Sequence, residues 1–146
     1  MIVAGLMLGL APHNAAQAQV PSIQDKVSQK IKSGKAEFEA TCAICHGSDA
    51  KGRGSFTLFM TKPVPDLTSI TKRNNGEFPF MRLYEMMNGP GEIPGHAIRE
   101  MPIWSEYYKD QAPKELGPFY NYSDVVAFVN TKTMSLLAYV ASLHEK

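Results

Sequence analysis

Residues 42–46 read Cys42-Ala43-Ile44-Cys45-His46, and Cys42 and Cys45 are the only cysteines in the chain. This C-x-x-C-H run constrains the fold more than any other feature, because it dictates what the core must enclose. Two thiols at that spacing can add to the two vinyl groups on one edge of a porphyrin, and the histidine that follows lands under the ring, where an imidazole nitrogen can bind iron. The expected cofactor is one covalent haem c with its iron, held by Cys42 and Cys45 and ligated by His46. Other chemistries for the pair lack companions. A thioredoxin-type redox pair is expected near a βαβ pattern, and none is visible. A structural zinc site needs four ligands, yet there is no second cysteine pair, and His13, His96 and His144 fall at no finger-like spacing. A disulfide between Cys42 and Cys45 would close a tiny loop and stabilise little.

At 146 residues the chain is expected to form one domain. Fifteen basic side chains against 14 acidic ones give no nucleic-acid signature. Ten prolines and 11 glycines predict much loop between short helices, and a bound haem supplies apolar core that so short a chain lacks. Residues 1–18 carry no Lys, Arg, Asp or Glu; they open with an apolar run of 11 and reach Ala16-Gln17-Ala18 before Gln19. That is the core and cleavage tail of a secretory signal peptide, with its basic start expected upstream of Met1. As a helix the run spans about 16 Å, roughly half the hydrocarbon thickness of a bilayer, so it gives no firm membrane span. The expected domains are a signal peptide over 1–18 and a haem domain over 19–146, exported to the periplasm.

A helical pattern runs over residues 22–41, with Val27, Ile31 and Phe38 near one face. Gly34 is expected to interrupt it, leaving a helix from about Lys35 into the haem motif. Residues 47–66 read as loop. Asp66-Leu67-Thr68 reads as the start of a short helix that stops near Asn74-Asn75-Gly76, and Pro79 opens another that stops at Asn88-Gly89. Residues 91–121 show little regular pattern. A last long helix is predicted from about Ser123 to Glu145, with Leu136, Leu137, Val140, Leu143 and His144 in one stripe. No alternating strand is convincing, so the predicted class is all-α.

Iron in an electron carrier takes a sixth ligand, commonly Met or His. Met81, Met86 and Met87 fall in a helical pattern where core packing is the plain reading, and Met134 is expected in the core of the last helix. Met60 lies in the glycine-rich loop. Met101 stands apart, in an irregular stretch and followed by Pro102, which biases it to extended geometry and stiffens a strap. Met101 is therefore the expected ligand opposite His46, and His96, five residues earlier, is the alternative.

On these residues the chain resembles the class I c-type cytochromes, mono-haem and His/Met ligated. Gly34 and Phe38 resemble the glycine and aromatic of that family's first helix, Cys42 to Gly47 its attachment motif, Met101-Pro102 its ligand strap, and Leu136 to Leu143 its closing helix. The resemblance implies an all-α cytochrome c fold of short helices and loops wrapped around the haem. It also implies a proline carbonyl holding the second ring nitrogen of His46, for which Pro63 and Pro65 are the candidates. The chain departs from the family's smallest members over residues 104–122, which hold six of its 14 aromatics. Packing against the haem and helices is their expected role, with Trp104 read as a haem contact; a lid or docking surface is the alternative.

With both axial positions filled, the expected function is outer-sphere transfer of one electron, not catalysis. The partners implied are redox proteins: a donor dehydrogenase or cytochrome complex, and an acceptor oxidase or reductase. One alternative is a haem subunit of a larger respiratory or dehydrogenase complex, which would tie the chain to a membrane through its partner. A sensor or catalytic haem protein with a displaceable sixth ligand is less well supported. Residues 25–73 carry a net charge of +4 and residues 74–146 a net of −3, so Lys51 and Arg53 lie in the positive half, just beyond the motif.

Overall fold

The computed structural model describes residues 20–89 and 101–144. Its helices are α1 (Ile23–Glu37), α2 (Ala43–His46), α3 (Ile70–Arg73), α4 (Phe80–Asn88), α5 (Trp104–Leu116) and α6 (Tyr122–Ser142). A single π turn, Phe38–Cys42, joins α1 to α2, and 3-10 turns occupy Ser55–Phe59 and Leu67–Ser69. There is no strand among the described residues, so the all-α expectation stands. The signal-peptide reading and His96 lie outside the described residues.

Helix α1 starts where Ser22 and Asp25 cap each other. The Ser22 hydroxyl accepts from the Asp25 amide at 3.1 Å, and the Ser22 amide donates to the Asp25 carboxylate at 3.0 Å. Gly34 does not interrupt this helix, contrary to the sequence-based expectation. It is buried at the crossing with α6, where a Cβ would stand 1.8 Å from the Ser135 carbonyl oxygen. Backbone meets backbone there, and only a residue without a side chain allows it. Phe38, one turn on, is buried with its ring 5.3 Å from that of Tyr139.

The second correction concerns residues 91–121. Trp104–Leu116 is a regular helix despite Pro113 inside it. Pro113 lies in the last turn, so the one amide bond it cannot make, to the carbonyl four residues back, falls at the end of the helix and the turns that carry Trp104 and Tyr108 keep theirs. Trp104, Tyr108 and Ala112 recur every four residues and are all buried. Helix α6 begins at a second reciprocal cap, Asn121 with Asp124. Its C-terminal half packs on α1 and its N-terminal half on α5, through a shared core of Phe38, Trp104, Tyr108, Leu136, Leu137 and Tyr139. Lys132 of α6 pairs with Glu37 of α1 at 2.6 Å, both largely withdrawn from solvent. Two methionine expectations also change: Met81 and Met134 are exposed, and only Met87 of the α4 set is fully buried.

Candidate haem-attachment site

Cys42, Cys45 and His46 sit at i, i+3 and i+4, which brings all three to one face of the α2 turn. The π turn that ends on Cys42 carries one extra residue and re-aims the chain as it leaves α1; such turns recur at functional sites. Thr41 secures it, donating its hydroxyl to the Glu37 carbonyl at 2.7 Å, with the same oxygen 3.4 Å from the Cys42 sulfur. Burial, the largest influence, pushes the Cys42 thiol up to about 11, with the Glu37 charge adding and the Thr41 contact opposing. Cys45 is raised too, also by burial. No disulfide joins the two, which leaves both sulfurs for attachment.

A four-residue helix leaves most of its carbonyls without helical partners. The glycine loop that follows satisfies them. Gly47 donates to Ala43, Gly54 to Cys45 and Gly52 to His46, at 2.8, 3.0 and 2.7 Å. Gly52 needs its glycine twice over: its φ is +76°, and a Cβ would lie 2.1 Å from the Val64 carbonyl oxygen. That close approach lets residues 64–66 run beside α2. The run is pinned by the Leu67 amide donating to Ala50 at 2.8 Å and by Asp66, whose carboxylate caps the next turn through Thr68.

Pro65 arrives in this way beside His46. The His46 Nδ1 is 3.4 Å from the Pro65 carbonyl oxygen. With Nδ1 carrying the proton and donating there, Nε2 keeps its lone pair for a metal. Burial lowers the His46 pKa, with the Pro65 contact opposing, so the ring is neutral at pH 7 as a metal ligand must be. Pro63, the other candidate, is exposed two residues upstream. Met101 is partly buried and packs on the edge of the shared core, as Cys42 does from the other end of the chain. Trp104 is inside that core.

The core holds a donor that the described residues do not use. Among them the Trp104 indole N–H is buried without a hydrogen-bond partner, at a cost of about 1–3 kcal/mol if nothing else accepts from it. Tyr108 also feels the charges of Glu37 and Cys42, and burial first of all holds its phenol far above the usual range. Two thiols and a neutral imidazole on one face, with a spare indole donor behind, suit a large apolar group that carries acceptors at its edge. Among the described residues no three His, Cys, Asp or Glu side chains gather into a separate metal site. The burial of Tyr108 agrees with the packing role expected of the aromatics in 104–122; nothing in the sequence marks Thr41.

The model of the cytochrome c family matches residues 31–132, from the middle of α1 to the middle of α6. No curated protein and no solved structure matches the chain.

Proposed function

The chain belongs to the cytochrome c family, whose haem c is covalent and here has Cys42 and Cys45 to hold it, and from that premise we propose a periplasmic carrier of single electrons, His46 and Met101 being the two iron ligands. A haem-based electron-transfer role belongs to the family as a whole; the compartment, the ligand pair and the partners are the further reading. The observation that carries it is the attachment face itself, with Cys42, Cys45 and His46 on one turn and the Pro65 carbonyl behind the imidazole.

When bound, haem c supplies a one-electron couple, its iron alternating between Fe(III) and Fe(II). The protein's own residues do the rest. The carbonyl of Pro65 fixes the tautomer and direction of His46. Phe38, Trp104 and Tyr108 keep the interior dry, and a dry site with a thioether ligand favours the reduced, less charged iron. With both His46 and Met101 holding the iron, no position would be open to substrate, which suits electron transfer and not catalysis.

Partners are redox proteins, a donor dehydrogenase or cytochrome complex and an acceptor oxidase or reductase. Lys51 and Arg53, on the loop closing the attachment face, are exposed and suit steering toward an acidic surface. Arg53 is partly neutralised by Asp49 at 2.7 Å, so Lys51 is the freer charge.

The test is Met101→Ala. The variant should bind carbon monoxide when reduced and show a lower potential, with the haem still covalently attached. A low-spin Met101→Ala protein that stays inert to carbon monoxide would reassign the sixth ligand, with His96 the first candidate.

A further inference from the structure

Among the described residues one ion pair differs from the rest. Lys35–Glu39, Asp49–Arg53 and Glu106–Lys109 each lie within about one turn and on the surface, where such pairs contribute little. Glu37 and Lys132 are 95 residues apart, on α1 and α6, and their side chains are 14% and 31% exposed. Apolar residues of similar size often stabilise a fold as well as a pair so withdrawn from water, so stability alone does not account for it. The Lys132 ammonium lies over the rings of Phe128 and Tyr108, 5.5 and 6.0 Å from their centroids. The Glu37 carboxylate sits beside the Tyr108 hydroxyl, which in turn lies near Thr41 and Cys42. The Glu37 carbonyl accepts from the Thr41 hydroxyl at 2.7 Å, and that oxygen is 3.4 Å from the Cys42 sulfur. Burial is the main influence on the Cys42 thiol, but the Glu37 charge is felt there as well. The pair therefore turns its negative end toward the attachment point and keeps its positive end among the rings of α5 and α6.

We propose that Glu37 and Lys132 set the reduction potential of the haem, Glu37 presenting a fixed negative charge to the porphyrin edge that Cys42 holds and Lys132 limiting its effect. Fe(III) carries one more positive charge than Fe(II). An anion close to the ring therefore favours the oxidised form, and a cation favours the reduced one. A unit charge on the order of 10 Å from the iron, at an effective dielectric constant of about 20, changes that equilibrium roughly tenfold. Water screens the surface pairs, but it reaches Glu37 and Lys132 poorly, so their charges act at nearer full strength. Removing either charge alone unbalances the pair, and the two removals act in opposite directions. The inference rests on covalent attachment at Cys42 and holds whichever residue is the sixth ligand.

Redox titration of the haem-loaded protein tests it. Glu37→Gln keeps the size of the side chain and its acceptor oxygen but removes the negative charge. The ratio of reduced to oxidised haem at a fixed electrode potential should rise about tenfold, a shift of about 59 mV for one electron. Lys132→Met keeps an apolar stem over the rings and removes the positive charge, and the same ratio should fall. The double variant should return close to the parent, and Lys132→Arg should match it. Absorption spectra should stay those of the parent throughout, which separates this result from a failure of Met101 as ligand, since that failure changes the spectrum. A pair that only braces the core predicts one sign for both single variants: either loss loosens the packing, admits water and lowers the potential. A fall with Glu37→Gln overturns the proposal, as do shifts of one sign in both single variants or a potential that none of the variants moves. Should Lys132→Met fail to retain haem, the sign of the Glu37→Gln shift decides alone.

Discussion

The segment from Phe38 to Pro65 and the segment from Met101 to Leu116 serve the same interior by different means. The first is tied down by its own backbone: α2 is closed by three glycine amides, and Gly52 allows residues 64–66 to lie against the turn. The second is held by side chains: Trp104 and Tyr108 are buried among rings 5.4–6.4 Å away, those of Tyr107, Phe128 and each other. Backbone closure fixes a position to within a hydrogen bond, as a covalent attachment point demands. Aromatic packing supplies bulk and dryness and tolerates small displacements. The division matches the tasks, one segment holding the cofactor and the other sealing it.

The largest effect should come from the sealing segment. Tyr108→Ala removes one of the most deeply buried rings in the core and should cost about 3–5 kcal/mol, read as a fall in the denaturation midpoint. Tyr108→Phe separates ring from hydroxyl. The hydroxyl is buried beside Glu37 and Thr41, so its loss should cost no more than about 1 kcal/mol, far less than loss of the ring. A destabilisation by Tyr108→Phe as large as that by Tyr108→Ala would mean that the hydroxyl and not the ring carries the seal.

This contrast also explains what the sequence disclosed. The holding segment is local: Cys42 to His46 are contiguous, and Asp66 and Pro79 announce the turns that follow, so those elements could be read directly. Pro65 could not be told from Pro63, because the choice depends on how closely Val64 passes Gly52, a distance set in space. Gly34 turns on the same kind of distance. In isolation a mid-helix glycine weakens a helix, but here Ser135 passes at a distance that excludes any Cβ, and tertiary packing overrides propensity. Helix α5 was hidden because Pro113 and a run of polar residues masked the four-residue spacing of Trp104, Tyr108 and Ala112. The outer end of α6 posed the opposite problem. Its apolar composition is plain in the sequence, but which of its residues would face solvent was not.

The intermediate effect probes the holding segment. A Cβ on Gly54 would lie 2.2 Å from the Ile44 carbonyl oxygen, and the strained atoms are all backbone. Gly54→Ala should cost about 1–3 kcal/mol, less than Tyr108→Ala, but concentrated where it can be seen. Amide exchange at Gly52 and Leu67 should quicken, while amides of α5 keep their protection. Equal loosening of both segments would show that they form one cooperative unit and that the contrast drawn here is only geometric.

The smallest effect turns on pH. Asp66 accepts from the Thr68 hydroxyl at 2.6 Å and from the Thr68 amide at 2.8 Å. The hydroxyl bond is the main cause of its lowered pKa; burial opposes it slightly, and Lys51 and Arg73 help. A carboxylate whose folded pKa lies below its unfolded value, about 3.9, stabilises the fold above that value and loses its contribution as pH falls through the folded pKa. Asp49 shifts in the same direction, chiefly through the Lys51 amide, so two carboxylates of the holding segment weaken together in acid. Acid should therefore loosen residues 47–68 before α5, with exchange at Leu67 rising from about pH 4 downward. Asp66→Asn keeps a capping side chain and removes the charge. The variant should be less stable than the parent at pH 7, and the gap should close as pH falls below the usual carboxylate range, because the parent's carboxyl is then neutral as well. A gap that persists undiminished at low pH would mean that Asp66 acts through its hydrogen-bond geometry alone, and that the charges of Lys51 and Arg73 play no part in holding the loop.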